Sequence, residues 1–286
     1  MINSYDIQIS TRCSLKCKHC CMKPNLNDKK TEFEEIQKIL NEDHSIKEIH
    51  LSGGEPLCTN LAKLYSFIKK NKVLRSFSMT TNLIYYLNDR RLAILKLIDT
   101  LHTSFDIKIR FNNIKQLSLW YHNLKKVRSI HPEIDVFVCL TKELIRIDPK
   151  RISKFFNKLD IDYTIIPIMK YGEATYNAMI PNRLESEEWL IKLSRLNDNH
   201  NKTEELIKVR NFTNCQYGNT MQCINYKGEK VNCIVKPDCL YKGKLQQKCK
   251  DCGNLFMCGS SCILVDCYFF EELYKSIIYK KIKERN

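Results

Sequence analysis

Three cysteines lie close together near the start of the chain, at Cys13, Cys17 and Cys20. Thiols on one short loop can converge on one metal centre, and three thiolates leave one iron of a 4Fe–4S cube without a protein ligand. Such an open iron can bind a small molecule, much as a catalytic zinc ion keeps one free position. A fortuitous run of cysteines and part of a zinc site are the alternatives that remain open.

A second group of cysteines lies towards the end of the chain. Of the fifteen cysteines in the sequence, nine fall between Cys215 and Cys267, where apolar periodicity is weak. A segment with many thiols and few apolar residues is held together by metal rather than by a core. A disulfide scaffold is typical of small secreted proteins, and this chain has 286 residues and no visible export signal. Structural zinc sites are the alternative to iron–sulfur clusters here.

The composition indicates a globular chain with a strong positive charge. Hydrophobic residues make up 43% and charged residues 28%, and the net charge is +15. No apolar run reaches the roughly 18 residues that a membrane span needs, so we expect a cytoplasmic protein without a membrane partner. Excess lysine usually marks a solvated surface, and an acidic partner such as nucleic acid is the alternative, which the charge alone does not establish.

The elements that must position these cysteines alternate between strands and helices. Such alternation predicts a parallel sheet covered by helices. Strands are predicted at Tyr5–Ser10, Ile46–Ser52, Ser76–Asn82, Ile98–Asp106, Asp135–Lys142 and Tyr163–Met169. Helices are predicted at Thr31–Asp43, with Thr31 and Glu34 as a capping box, and at Leu57–Asn71, Asn88–Leu97, Ile114–Ile130 and Pro149–Leu159.

Six strand–helix units fall short of the eight in a complete barrel. We therefore predict an α/β fold, a partial (β/α)6 TIM-like barrel over residues 1–210, followed by a small cysteine-rich iron–sulfur domain with a C-terminal helix over residues 211–286. Ligands of open parallel sheets bind beyond the carboxyl ends of the strands. The motifs after the first four predicted strands fall at that edge.

The spacing C-x3-C-x2-C after the first strand resembles the signature of the radical S-adenosylmethionine (SAM) superfamily. The resemblance implies that a 4Fe–4S cluster on Cys13, Cys17 and Cys20 binds the amino and carboxylate groups of SAM. It also implies that an electron from the cluster cleaves SAM to a 5′-deoxyadenosyl radical, which abstracts hydrogen from a substrate. His19 stands where the family usually has an aromatic residue that packs near the adenine.

Two later segments resemble SAM-binding elements of the same family. The segment Gly53-Gly54-Glu55-Pro56 is similar to the GGEP motif, which holds the SAM amino group, and paired glycines allow close approach of a backbone to a ligand. The pair Thr81-Asn82 resembles the Thr-Asn element near SAM, although Leu83 replaces the usual glycine. A simple cap of the next helix is the alternative for this pair.

The end of the fourth strand supplies two further candidates. Ser104 and Arg110 resemble the serine and the following arginine of the family's Ser-Leu-Asp-Gly segment, which contact the SAM ribose or carboxylate. The connection to Arg110 is short and lacks the glycine of that segment. A solvated surface charge is the alternative for the arginine.

The C-terminal cysteines resemble the SPASM module, which carries auxiliary iron–sulfur clusters. The spacing C-x2-C-x5-C-x3-C, with one more cysteine beyond it, has several independent gaps that match. The resemblance implies one or two auxiliary 4Fe–4S clusters. It assigns Cys215, Cys223, Cys233 and Cys262 to the first, and Cys249, Cys252, Cys258 and Cys267 to the second.

Many SPASM proteins modify ribosomally made peptides, so the leading hypothesis is a crosslink, epimerisation or oxidation of a peptide. Sulfatase maturation is disfavoured, because Ile234 follows Cys233 where those maturases have an aspartate. The chain begins at the first strand, so recognition of a peptide leader would need a separate protein or another surface of this one. Dehydrogenation or epimerisation of a small molecule is the alternative, with an electron donor such as flavodoxin or ferredoxin in either case. A non-catalytic iron–sulfur or zinc protein that binds nucleic acid is the alternative of another class.

Overall fold

The fold is seen in a computed structural model that describes most of the first two thirds of the chain. The described residues are 2–20, 22, 31–106, 108–111, 113–131, 133–168, 179–203 and 221–231.

One mostly parallel sheet organises the described residues. Its strands lie side by side in the order β6-β5-β4-β3-β2-β1-β7-β8, and only the β7–β8 pair is antiparallel. The first six strands therefore follow the chain in order from β1 outwards, as successive strand–helix units do. The strands are β1 Ser4–Gln8, β2 Glu48–Ser52, β3 Ser76–Thr80, β4 Thr100–Ser104, β5 Ile134–Leu140, β6 Asp162–Pro167, β7 Met221–Ile224 and β8 Lys230–Val231.

The helices connect successive strands and begin at polar caps. Side chains of Asn, Thr or Asp accept a backbone N–H in the first turn of six of them, which satisfies donors that a helix start leaves open. The helices are α1 Phe33–Glu42, α2 Leu61–Asn71, α3 Asp89–Leu95, α4 Ile114–Arg128, α5 Lys142–Ile145, α6 Pro149–Leu159 and α7 Arg183–Ser194.

The two faces of the sheet differ in polarity. Ile49 of β2 and Phe77 of β3 are paired in register and are each 1% exposed, in the core between sheet and helices. Their neighbours His50 and Ser78 point to the opposite face, because side chains alternate along a strand, and they form a hydrogen bond of 2.8 Å. The apolar face holds the fold together, and the polar face lines the inner side of the partial barrel.

The predicted α/β fold with a partial TIM-like barrel is confirmed, and each of the six predicted strands is present. The sheet also gains β7 and β8, which were not predicted, and β7 pairs with β1 in parallel. The boundary between residues 210 and 211 stays a prediction, because residues 204–220 lie outside the described ranges.

The predicted capping box of the first helix is wrong. Helix α1 begins at Phe33 after Glu32, and no side chain caps it. The Thr31 hydroxyl instead donates to the Ile9 carbonyl at 2.5 Å. Thr31 therefore connects the segment before α1 to the residue after β1. Glu34 does not form a capping box, because the Thr31 hydroxyl bonds to Ile9 instead.

Candidate functional site

The first three cysteines lie on the loop that follows β1. Cys13 and Cys17 are buried, and Cys20 is half-buried. The Leu15 backbone nitrogen lies 3.4 Å from the Cys13 sulfur, and the Asn82 side-chain amide approaches the same sulfur at 3.5 Å. Sulfur is a weak acceptor, so these contacts orient the thiol rather than hold it. The loop therefore presents three thiols in a mostly buried setting.

Burial disfavours the thiolate form of these cysteines. It raises the pKa of Cys13 to about 12, and the negative charges of Glu55 and the two other cysteines add to the rise. Burial also raises the pKa of Cys17, against the opposing effect of the Arg110 guanidinium. A bound metal centre removes this penalty, because coordination keeps a thiol deprotonated. Soft sulfur ligands on one loop fit an iron–sulfur cluster.

Two glycines after β2 allow the cysteine loop to pass close by. The N–H of Gly54 donates to the Ser10 carbonyl at 2.8 Å, and the N–H of Glu55 donates to the Arg12 carbonyl at 2.7 Å. A Cβ atom on Gly53 would lie 2.3 Å from the Ser10 oxygen, and one on Gly54 would lie 2.4 Å from the Arg12 oxygen. Gly53 also has a φ of +127°, which side chains disfavour. Only glycine fits both positions on this path.

The Glu55 carboxylate is fully buried and fixes the loop after β3. It accepts hydrogen bonds from the Thr81 hydroxyl at 2.6 Å, the Asn82 N–H at 2.7 Å and the Leu57 N–H at 3.2 Å. Burial raises the pKa of Glu55, and these donors oppose the rise. These three donors leave about one of the roughly four lone-pair sites of the carboxylate for a further donor such as a ligand ammonium. Its contacts are those of a positioning residue, and Pro56 follows it at the start of a buried 3₁₀ turn.

The Thr81-Asn82 pair is followed by a residue with a left-handed backbone. Leu83, which replaces the usual glycine, has a φ of +54°, the left-handed conformation that glycine adopts most readily. The alternative that Thr81 and Asn82 cap the next helix is wrong, because Asn88 caps α3. The leucine therefore preserves the path of the chain at this loop.

The two candidates after β4 lie in different settings. Ser104 ends β4, is half-buried, and shares its face of the strand with His102. The Arg110 side chain is 15% exposed, and its Nε donates to the Asp106 carboxylate at 2.7 Å. The alternative that Arg110 is a solvated surface charge is therefore wrong.

Asp106 is a site residue that the sequence analysis did not single out. Its fully buried carboxylate accepts hydrogen bonds from Arg110, from His19 Nε2 at 3.1 Å and from the Cys139 N–H at 2.8 Å. Burial alone would raise the pKa of Asp106, but the Arg110 charge and the His19 contact outweigh it and hold that pKa below the usual range. Its signal in the sequence was its place between Ser104 and Arg110.

The His19 ring is buried and leaves one nitrogen without a partner. Because an ionised carboxylate only accepts, the contact with Asp106 assigns the hydrogen to Nε2. His19 Nδ1 is buried and has no hydrogen-bond partner among the described residues. Ligand atoms of His19, Asp106 and Cys139 lie within 4.8 Å of one another. Arg110 already neutralises this carboxylate, so the group is better explained as an ion-pair network than as a metal site.

One of the predicted auxiliary ligands lies within the described residues. Cys223 is fully buried on β7, and it pairs in register with Asp6 of β1, so both side chains face the inner side of the sheet. The other predicted auxiliary ligands lie outside the described residues. They are Cys215, Cys233, Cys249, Cys252, Cys258, Cys262 and Cys267.

Among the helices that the structure describes, none is both long and apolar enough to cross a membrane.

Sequence comparisons give a family match and two kinds of relative. Residues 7–114 match the profile of the Radical SAM superfamily. A "putative glycyl-radical enzyme activating enzyme" of Methanocaldococcus jannaschii is 30% identical over 200 residues, which cover 63% of this chain and 74% of that protein. A "probable GTP 3',8-cyclase" of Methanococcus maripaludis is 38% identical over 87 residues, which cover 28% of this chain and only 29% of that protein.

Two solved structures have the same fold. The structure titled "Native anSMEcpe with bound AdoMet and Cp18Cys peptide" superposes with a TM-score of 0.70 at 14% identity, over 99% of this chain and 98% of that one. The Streptococcus suis protein SuiB, bound to precursor peptide SuiA, superposes with a TM-score of 0.66 at 16% identity. That match covers 92% of this chain and 72% of SuiB.

Proposed function

The chain belongs to the radical SAM superfamily, and on that premise we propose that it cleaves SAM reductively at a 4Fe–4S cluster held by Cys13, Cys17 and Cys20. Such a cluster, when bound, supplies the electron that breaks SAM into methionine and a 5′-deoxyadenosyl radical. The observation that carries the proposal is the mostly buried loop of three thiols, enclosed by a backbone path that only Gly53 and Gly54 permit.

The residues around the cysteine loop have different proposed roles. Glu55 positions Thr81 and Asn82, whose backbone and amide lie beside the cysteine loop. Arg110 offsets the burial of Cys17 with its positive charge. Together with His19, Ser104 and Pro56, these residues are the proposed SAM-binding surroundings.

The test replaces Cys13, Cys17 and Cys20 with alanine, and Cys58 with alanine as the matched control. Cys58 is half-buried and lies outside the C-x3-C-x2-C spacing. After anaerobic reduction with SAM, we expect the triple variant to form no 5′-deoxyadenosine and the Cys58 variant to retain its formation. Formation of 5′-deoxyadenosine by the triple variant would refute the assignment.

We further propose a second domain over residues 211–286 with one or two auxiliary 4Fe–4S clusters. The cysteine spacing supports it. The first cluster uses only three cysteines near the start of the chain, so the many cysteines of the second segment need metal centres of their own. Anaerobic reconstitution should give about twelve irons per chain with three clusters and about eight with two. Stoichiometric zinc in place of iron would contradict the proposal.

We propose a peptide as the substrate, modified by crosslinking, epimerisation or oxidation. The similarity of fold to SuiB, which is bound to a precursor peptide in its structure, supports this class. An electron donor such as flavodoxin or ferredoxin would supply the electron in the cytoplasm. The name of the GTP 3',8-cyclase relative supports a small-molecule substrate as the second candidate.

Deuterium transfer separates the two substrate classes. A candidate peptide or metabolite labelled with deuterium should pass the label to 5′-deoxyadenosine, and mass spectrometry should find the matching change in the substrate itself. Label transfer from a metabolite, and from no peptide encoded by a neighbouring gene, would favour the small-molecule substrate.

A further inference from the structure

The Asp106 carboxylate connects three segments that are distant in the sequence. One partner is Arg110 on the loop after β4, the second is His19 on the cysteine loop, and the third is the backbone of Cys139 near the end of β5. The side chain of Asp106 has no exposure to solvent. A buried carboxylate with good hydrogen bonds to several segments restrains all of them, because losing any bond leaves an unpaired polar group.

The same carboxylate balances a buried positive charge. Arg110 is always protonated, and its Nη2 lies 3.5 Å from Nε2 of His19 on the cysteine loop. The ion pair with Asp106 makes the net charge of the two side chains zero. Replacing Asp106 with a neutral residue would therefore leave an uncompensated cation beside the cysteine loop.

We propose that Asp106 is a positioning residue that sets the reduction potential of the first cluster. It does so in two ways, by holding His19 of the cysteine loop and by neutralising Arg110, which approaches His19 on that loop. Charges and hydrogen bonds around the sulfur ligands are among the main determinants of such a potential. The inference rests on the proposed function, since it requires a cluster on the first three cysteines.

The central variant is Asp106→Asn, which keeps the size of the side chain and removes its charge. The reduced cluster is the more negative form, so an unbalanced Arg110 should stabilise it and shift the midpoint potential to a more positive value. A more positive cluster is a weaker reductant, so 5′-deoxyadenosine should form about 10- to 100-fold more slowly. The measurement is a redox titration, followed by electron paramagnetic resonance of the centre whose signal changes when SAM is added.

Two further variants separate charge from packing. Asp106→Glu keeps the charge and should retain a midpoint near that of the unmodified protein. The double variant with Asp106→Asn and Arg110→Gln removes both charges and should return the midpoint towards its original value. A residue with a merely structural role would not give this pattern.

The matched control is Asp198→Asn at the other end of the sheet. Asp198 also accepts several hydrogen bonds, including one from the Tyr163 hydroxyl at 2.7 Å. It belongs to a different network, among residues next to the amino end of β6. Its replacement should lower stability and leave the midpoint of the SAM-responsive centre unchanged.

An unchanged midpoint in Asp106→Asn with full iron loading would overturn the inference. If that variant fails to load iron, Arg110→Gln decides instead. It leaves a negative charge beside the cluster and should make the midpoint more negative, and no shift would overturn the inference. Failure of the proposed function has a different signature, because the unmodified protein would then have no centre that responds to SAM.

Discussion

Two pairs of carboxylates, one pair at each end of the same sheet, lie in opposite settings. At the carboxyl ends of the strands, Glu55 and Asp106 are buried, and each binds donors from loops far apart in sequence. At the amino ends, the Asp160 side chain is 74% exposed and that of Asp99 is 45% exposed, and both take part in ion pairs. The strands are common to both ends, so the difference lies in the loops.

The contrast agrees with the proposed ligand site at the carboxyl ends of the strands. Exposed ion pairs contribute little to stability and need no special surroundings. Buried carboxylates are costly unless every hydrogen bond is made, so they persist where geometry matters. At the carboxyl ends, the buried carboxylates Glu55 and Asp106 lie near the loop of the three cysteines. Substitutions at the two ends should therefore differ in the size and in the kind of effect.

The largest effect is expected from Gly53→Ala at the carboxyl end. The added Cβ would collide with the Ser10 carbonyl, and the φ of +127° disfavours any side chain, so the cysteine loop must move. We expect a loss of about 3 kcal/mol in the free energy of unfolding and loss of iron at the first site. Urea unfolding and iron analysis measure the two effects.

Gly228→Ala is the control for that substitution. Gly228 has a φ of +83° at the turn between β7 and β8, where an added Cβ would meet the Glu35 side chain at 2.6 Å. This variant should lose stability and keep a centre that responds to SAM. A Gly53→Ala protein that keeps its SAM-responsive centre would contradict the expected difference between the two glycines.

The next effect in size is that of Glu55→Gln. The new amide places a donor where the Thr81 hydroxyl and the Asn82 N–H already donate. A mismatch of this kind in a buried site costs about 1–3 kcal/mol. Denaturant unfolding should detect it, while Asp160→Asn at the exposed end should change stability by less than about 0.5 kcal/mol. Equal effects of the two substitutions would contradict the contrast between the ends.

A smaller effect, visible only as the pH falls, is expected from His102 on β4. Burial, together with the charge of His50, lowers the pKa of His102 from 6.5 to about 4. The unfolded chain therefore binds the proton more readily, so stability present above pH 6.5 is lost as the pH falls towards 4. Between about pH 7.5 and about pH 5.5 the loss should be about 1 kcal/mol.

Thermal or urea unfolding of the His102→Gln variant at the same two pH values measures that contribution. The variant should lose less stability than the unmodified protein on acidification. Parallel losses in both proteins would show that His102 titrates alike in the folded and unfolded chains.

The smallest effect is expected for the ion pair between Arg128 and Asp160 at the amino end. The pair is 2.9 Å long, and the aspartate side chain is mostly exposed. A double-mutant cycle with Arg128→Ala and Asp160→Ala should give a coupling of no more than about 0.5–1 kcal/mol. A larger coupling energy would mean that exposed ion pairs at the amino end stabilise the fold as much as the buried contacts at the carboxyl end.

Local sequence patterns predicted the first six strands of the sheet and many residues of the candidate site. The alternation of strands and helices predicted six strands in their order, and the glycine pair and the cysteine spacing marked the loops at the carboxyl edge. These features are local, because each depends on residues within one element or turn. Leu83 is an instructive departure, since its φ of +54° keeps the backbone that a glycine would give.

The features that were missed depend on contacts between distant segments. Asp106 receives hydrogen bonds from His19 and from Cys139, and no periodic pattern connects these positions. Thr31 has the residue type of a helix cap, yet its hydroxyl is used by the Ile9 carbonyl across the return from β1. Tertiary contacts decided both cases, and intrinsic preference could not reveal them.

The pairing of β1 with β7 has a consequence for the order in which the chain can fold. On the ribosome, β1 emerges before both of its neighbours in the sheet, and the second neighbour is synthesised only when Met221–Ile224 appear. Until then a nascent chain has an unpaired row of N–H and C=O groups beside the segment that carries Cys13. Strand β1 is thus fully paired only late in synthesis, as expected for a contact between residues far apart in the sequence.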